Sequence, residues 1–534
     1  MIPAYPSPDL LRQQRLVGAL LEPGYFPCPA HVEETHISWV LLAGCDAYKI
    51  KKSLDLGFLD FSTLEARRFY CAEELRLNRR LAPDLYLDIV TIGGSPEQPV
   101  LHGKPAIEYA VHMRRFDRSA MLDQLLAQGR VTAAHIDRLA TTIASFHAAL
   151  PPAAADSQFG SPAAIQAAAL QNFTQLSSLL TAPDDLAILE SLRDASMLEF
   201  SACEPLFRQR VLAGSVRECH GDLHLGNIVL MDDVPVPFDG IEFNAALRWI
   251  DVISEIAFTL MDLLHRGQPQ LAWRFLNTYL ENTGDYAGIG ILRFYLAYRA
   301  MVRAKVAAIR AHQEDASRAE QDDAECRAYL DLAHDCLTRR HPALILTHGL
   351  PGCGKSTFAQ IALERLGAIR IRSDVERKRL FGLTALADSR SQTGVDIYGK
   401  YATHQTYTRL LELARDLLMA GYPVIVDAAF LHHAERAQFH ALAEELGTPF
   451  IIASLHAGEP LLAERLTKRF NRADDASEAN IAVMQALRAN QELPEDEELA
   501  ATVTFNNDGD ADALRTVIEK WIAHDARLTD YDAR

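Results

Sequence analysis

The sequence predicts two domains of different class, an α+β domain of two lobes followed by an α/β domain built on a parallel sheet. Three observations carry this reading. The first hundred residues alternate short extended and helical signals, the stretch from Ala120 to about Leu212 is rich in Ala and Leu at helical spacing, and beyond residue 342 apolar strand segments alternate with helical ones. Strands separated by helices imply a parallel sheet with right-handed crossovers. A chain of 534 residues is also too long for one hydrophobic core.

In the small lobe, residues 37–42 and 47–51 read as a hairpin around the turn 43–46. A helix starts near Ser62 and runs to Ala82, and strands follow at 85–92 and 106–113, separated by the Gly- and Pro-rich run 93–99. From about 114 to 337 the pattern is mainly helical, with short strands after Arg217 and a second helical stretch from Trp249. The partition expected is therefore 1–337, divided into lobes of about 30–113 and 114–337, then a linker at 338–342 and a second domain at 343–534. Strands in the second domain are expected at 343–347, 369–373, 424–428, 450–455 and 502–505.

Composition bounds the partners. The net charge of −18 disfavours broad electrostatic binding to nucleic acid or to an anionic membrane. No apolar run reaches a spanning length, and the start at Met1 has no basic region followed by an apolar one, so a cytoplasmic protein is expected. Eight cysteines lie scattered without a Cys-x-x-Cys pair, which predicts reduced, packed thiols. Nothing in the sequence sets the oligomeric state.

The most specific motif is Gly349, Leu350, Pro351, Gly352, Cys353, Gly354, Lys355 and Ser356, with Thr357 opening the next helix. It is a phosphate-binding loop between strand and helix. Its glycines let backbone N–H groups converge on phosphate oxygens, Lys355 can reach the outer phosphates, and Ser356 can hold Mg²⁺. After the second strand come Asp374, a candidate general base, and Arg377, one turn on, for the acceptor's anionic group or the moving phosphoryl. Asp427 ends a buried strand and suits the metal's surroundings or the acceptor. Arg465 and Arg469 share a helix face, on a segment that resembles the lid of small P-loop kinases.

A second constellation lies upstream. His220, Gly221 and Asp222 are followed five residues later by Asn227, and then by Asp239 and Gly240. Phosphoryl transfer needs an Asp to receive the acceptor's proton, here Asp222, and Asn and Asp ligands for Mg²⁺, here Asn227 and Asp239.

With these residues, the stretch from about 30 to 335 resembles the aminoglycoside phosphotransferase branch of the protein-kinase-like fold. The resemblance implies an ATP lysine on the small sheet, either Lys49 or Lys51. Lys49 is favoured because the small Ala47 stands two residues before it. It also implies a helix carboxylate partner, Glu74, with Glu65 and Glu73 as alternatives. The segment Glu108–Met113 would be the hinge whose backbone hydrogen-bonds adenine, and Asp251 and Glu255 would serve as braces.

Residues 342–534 resemble the small P-loop kinases: polynucleotide 5′-kinase, zeta toxin, chloramphenicol phosphotransferase and gluconate kinase. Together the resemblances imply a bifunctional, ATP- and Mg²⁺-dependent phosphotransferase. Each half would transfer a γ-phosphoryl group to a hydroxyl of a small molecule. Alternative readings are a nucleotide sensor in one half, or a nucleic-acid 5′-kinase or simple ATPase in the C-terminal half.

Overall fold

Helix α1 (Pro8–Leu20) begins at a Ser7 cap with Pro8 in its first turn, a position where the missing N–H costs nothing. Strands β1 (Ala30–Glu34), β2 (Ser38–Ala43) and β3 (Asp46–Lys51) follow, then helix α2 (Leu64–Asn78), capped by Thr63. Strands β4 (Tyr86–Ser95), β5 (Gln98–Leu101) and β6 (Glu108–Arg114) complete an antiparallel sheet in the order β1-β2-β3-β6-β4-β5. Leu16, Val17 and Leu20 of α1 bury one face of this sheet with Trp39, Leu41 and Ile50. Cys71 of α2 packs on the other with Ala47, Tyr86 and Val111.

The expected hairpin and helix are present, whereas α1, β1 and β5 go beyond the sequence reading. Strand β5 reads as turn because it is a short edge strand carrying Pro99, which cannot donate to a ladder. Gly93 permits the close return of the chain, since a Cβ there would lie 2.5 Å from the carbonyl carbon of Gly103.

The chain continues through α3 (Leu122–Ala127), α4 (Ala133–Ala149), α5 (Pro162–Leu179) and α6 (Pro183–Leu212). Next come β7 (Val216–Glu218), the hairpin β8 (Ile228–Met231) and β9 (Val234–Pro237), α7 (Ala245–Arg248), and β10 (Trp249–Asp251), which pairs with β7. Helices α8 (Val252–His265), α9 (Pro269–Thr283), α10 (Leu292–Ala311) and α11 (Ala316–Thr338) lead to the second sheet.

That sheet holds β11 (Leu344–His348), β12 (Ile369–Arg372), β13 (Val424–Asp427), β14 (Phe450–His456) and β15 (Thr502–Asn506), all parallel, in the order β12-β13-β11-β14-β15. Between them run α12 (Lys355–Leu366), α13 (Ser373–Leu380), α14 (Lys400–Met419), α15 (His433–Leu446) and α16 (Glu459–Arg472). Strands buried on both faces read as continuous apolar runs, and for that reason the five expected strands lie within a residue or two of their observed limits.

This computed structural model describes residues 7–57, 59–154, 156–313, 316–385, 387, 397–472 and 477–529. Two compact units emerge, Met1–Ala169 with Phe207–Asp262, and Leu170–Leu206 with Leu263–Arg534. The division differs from a boundary at 338–342, and the second unit shows why. Trp273 of α9 joins the apolar cluster of the parallel sheet, and a Cβ on Gly367 would lie 2.8 Å from its ring. Asn277 then reads the outer edge of β12 as a strand would. Its Nδ2 donates to the Ala368 carbonyl at 2.9 Å, and its Oδ1 accepts from the Arg370 N–H at 2.7 Å. Tyr286 donates to the Arg370 carbonyl at 3.3 Å. The helical run ends near 338, but packing carries part of it into the P-loop unit. Among the described residues no helix is long and apolar enough to cross a membrane.

Replacing Asn277 by Ala strips two buried backbone groups of their partners. Chemical denaturation of the full chain should show a loss of about 2–4 kcal/mol in the transition of the P-loop unit.

Candidate active sites

In the first unit β3 is a central strand, and its alternation sends Lys49 and Lys51 to the same face. The two lysines share one carboxylate. Lys49 Nζ lies 2.8 Å from Glu74 Oε1, and Lys51 Nζ lies 2.6 Å from Glu74 Oε2. Lys49 also reaches Asp239 Oδ1 at 2.5 Å, while Lys51 donates to Glu242. Of the alternatives left open by the sequence, Glu73 turns instead to Arg76 on the exposed side of α2.

Burial pulls Lys49 down, but the Asp239 and Glu74 carboxylates outweigh it and hold the ammonium well above its ordinary value. Lys51 behaves alike, with Glu242 and Glu74 overcoming its burial. Glu74 is raised by burial and pulled down more strongly by the two lysines, to about 2. Burial pushes Glu242 up, the Lys51 charge opposing it only in part. Glu242, three residues past Asp239, was not legible as a site residue, because its partner Lys51 lies far away in the chain.

The loop bearing Asp239 is pinned on three sides. Its own N–H donates to Tyr86 Oη at 3.1 Å, Gly240 N–H donates to Asn78 Oδ1 at 2.7 Å, and the Phe238 carbonyl lies 2.8 Å from His220 Nε2. Asp239 is held at φ +60°, a region an L residue adopts when its surroundings impose it. The His220 ring joins the two loops. Its Nδ1 accepts from the Asp222 N–H at 3.3 Å, so the Nε2 proton is the one given to Phe238.

Asn227 Nδ2 donates to Asp222 Oδ2 at 2.9 Å and to the Asp222 carbonyl at 3.0 Å. Glu255, fully buried, accepts the N–H groups of His220 and Gly221 at 2.6 and 2.9 Å, and Asp251 pairs with Arg210 at 2.7 and 2.9 Å. Asp251 ties α6 to β10, while Glu255 braces the loop. Beneath it His147, Cys219 and Glu255 bring ligand atoms within 4.8 Å of one another, a meeting of Cys and His that the scattered spacing hides. Burial lowers His147 to about 3 and keeps it neutral.

Glu108 is a correction. It is the first residue of β6, and its carboxylate accepts from Arg67 Nε at 3.0 Å and Gln13 Nε2 at 2.7 Å. The strand runs on to Arg114, with Lys49 opposite Val111, so the chain leaves the sheet beyond Arg114 and not at Glu108. Ladder pairing with β3 and β4 carries the strand through Met113, across the segment where a hinge was expected.

In the second unit, Gly349, Gly352 and Gly354 take φ of +137°, +87° and +102°, which suits glycine alone. A Cβ on Gly354 would lie 2.2 Å from Asn507 Nδ2, whose amide donates to the Cys353 carbonyl at 2.9 Å. Lys355 Nζ caps the carbonyls of Gly349 and Leu350 at 2.9 and 3.0 Å, curling over the loop as a phosphate-binding lysine must.

The loop opens on a cavity of about 1150 Å³, lined by Pro351, Gly352, Gly354, Lys355, Ser356 and Thr357, and also by Asp374, Arg377, Asp427 and Arg465. Cys353 is buried beside it. Arg377 donates to the Ile397 carbonyl at 2.9 Å and to Thr403 at 3.2 Å, with its guanidinium over the Tyr398 ring. Its Nε is buried without a hydrogen bond, as is Asp427 Oδ2. An orphaned carboxylate oxygen in the cavity that Ser356 also lines fits a hydrated cation, and the glycine cradle fits phosphate. Arg465 donates to the Gly352 carbonyl at 3.4 Å, while the side chain of Arg469 lies outside the described residues. Arg372, which also lines the cavity, escaped the sequence reading because it looks like an exposed strand end.

Removing Lys51 alone leaves two buried carboxylates with half their compensation. Lys51→Met should cost about 3–5 kcal/mol in denaturant unfolding, and adding Glu242→Gln should recover part of that loss.

The sequence profile of a family described as AAA domain matches residues 344–494. Solved structures similar to this chain include a choline/ethanolamine kinase family protein from Mesorhizobium loti, 13% identical with TM-score 0.37, covering 61% of this chain and 98% of that one. Another is a gluconokinase from Sinorhizobium meliloti, 20% identical with TM-score 0.26, covering 37% of this chain and 100% of that one. The uncharacterized proteins Rv2004c of Mycobacterium tuberculosis and Mb2027c of Mycobacterium bovis are each 31% identical over 463 residues, 86% of this chain and 89% of theirs. At that identity and coverage, the chain belongs to the family of these mycobacterial proteins.

Proposed function

We propose that the protein is a phosphotransferase with two ATP·Mg²⁺ sites, each moving the γ-phosphoryl group to a hydroxyl of a small molecule. The observation that carries this reading is the pair of complete residue sets: Lys49, Glu74, Asp222, Asn227 and Asp239 in one unit, and the P-loop with Asp374, Arg377 and Asp427 around one cavity in the other. Bound magnesium would neutralise phosphate charge as the phosphoryl group moves.

In the first site Lys49 would exchange Asp239 for phosphate oxygens, and Asp239 would then be free to hold the metal. Asn227, its Nδ2 committed to Asp222, would offer its Oδ1 to the same ion. Asp222 receives the acceptor's hydroxyl proton while the acceptor oxygen bonds to phosphorus and the bond to the leaving diphosphate oxygen breaks. In the second site Lys355 moves from the loop carbonyls to the outer phosphates, Ser356 and Asp427 would hold the metal, and Asp374 takes the proton. Arg377 and Arg465 stabilise charge that grows in the transition state.

The test is incubation with γ-labelled ATP and a fractionated metabolite extract, comparing wild type with Asp222→Ala and Lys355→Ala. Each variant should lose a different labelled product by at least about 10²-fold. Products unchanged in both variants would refute the reading, and loss in Lys355→Ala alone would leave the first unit as a sensor.

A further inference from the structure

Lys51 takes no part in the steps assigned to the first site, yet of the two lysines on β3 it is the more deeply buried. Its side chain is fully enclosed, whereas that of Lys49 is 12% exposed and meets Asp239, itself 44% exposed. The strand thus carries one ammonium at the open edge, where it can change partners, and one behind it that cannot. Behind Lys51 stand Glu242, to which it donates, and the Phe61 ring, whose centre lies 5.0 Å from its Nζ.

Lys49 is divided between Glu74 Oε1 and Asp239, and Lys51 between Glu74 Oε2 and Glu242, so two ammonium groups meet three carboxylates. Cys71 and Tyr86 bear on the same set and add no charge, because burial pushes the thiol up to about 12 and the phenol well above its ordinary value. With Asp239 given to a metal, two ammonium groups and two carboxylates would remain, and the enclosed set would be neutral. The hold of Glu74 on Lys49 then sets how much positive charge is left for phosphate. A buried carboxylate with one cation turns both oxygens to it. Lys51 already occupies Oε2, so only Oε1 is left for Lys49, and the charge of Lys49 is less fully cancelled.

We propose that Lys51 is a positioning residue of the first site, a resident counter-ion that occupies half of Glu74 so that Lys49 can turn to phosphate oxygens. Glu242 limits how strongly Lys51 does so. The proposal rests on the reading above, in which Lys49 is the lysine that meets the nucleotide. It gives the second lysine a duty that a lone lysine–carboxylate pair cannot perform.

The experiment is equilibrium dialysis of the full chain with labelled ATP and Mg²⁺, in a Lys355→Ala parent that silences the P-loop site. Adenosine is the competitor, since it has no phosphate for Lys49 to reach. Lys51→Met/Glu242→Gln leaves Glu74 wholly to Lys49 and should weaken ATP binding by about tenfold, with adenosine competition changed by less than about twofold. Glu242→Gln alone leaves Lys51 wholly to Glu74 and should tighten ATP binding by about threefold. A structural role alone would weaken ATP and adenosine together in both variants. Should the double variant fail to fold, Glu242→Gln carries the test, because it replaces one buried carboxylate by an amide of the same shape. ATP binding unaltered in the folded double variant, ATP and adenosine weakened alike, or ATP binding unaltered or weakened in Glu242→Gln overturns the proposal. Absence of any ATP binding in the Lys355→Ala parent overturns the nucleotide reading of the first site itself, and with it the role of Lys51.

Discussion

The Glu74 carboxylate, closed off from water, is held by two ammonium groups at once, and the small lobe is arranged around satisfying it. Charge in a medium of low dielectric is tolerated only when its opposite lies within hydrogen-bonding reach. That demand sets the register of β3, whose alternation must deliver both lysines to one face, and the rotation of α2, which must turn Glu74 inward. It also draws in the segment after Asp239, since Lys51 needs Glu242 as its second partner. Apolar residues of equal volume would pack there at no less stability, so the cluster is better understood as a means of holding one arrangement. It ties a strand, a helix and a loop to a single geometry around Lys49.

The P-loop unit meets the same demand at the carboxyl ends of parallel strands. The glycine cradle gathers backbone dipoles, and Lys355 waits on its own loop carbonyls. Arg370 and Arg372 need acids, and β12 as an edge strand has only one neighbouring strand to supply partners. Helix α9 brings both remedies, with Asn277 for the backbone and Glu281 for the side chains. One helix thus closes the sheet edge and balances its charge.

How much of this was legible follows the range of the interactions. Asp222 with Asn227, and the glycines with Lys355, are local arrangements whose spacing is itself the chemistry. Lys49 and Glu74 were expected only through the family resemblance, with Ala47 favouring Lys49, because alternation puts Lys49 and Lys51 on one face, and Glu74 holds both. Glu108 went astray because the strand's ladder pairing continues past it, and a hinge has no periodicity of its own. Glu242, Gln13, Asn277 and Glu281 act across long stretches of chain, and each looks like an ordinary polar residue among its neighbours. The limits of the second unit were hidden for the same reason, as α9 carries a helical pattern that does not say which sheet it will cover.

The clasp of Asn277 on β12 also has a bearing on the order in which the chain is made. Asn277 and Ala368 are 91 residues apart, and the helix leaves the ribosome first. At ordinary synthesis rates α9 waits about 5–20 s before the strand it reads exists. Throughout that interval Trp273 has no Gly367 to lie against and Glu281 no arginine to hold. The nascent chain therefore presents a surface prepared for a partner still unmade, and completion of β12 is the event that covers it.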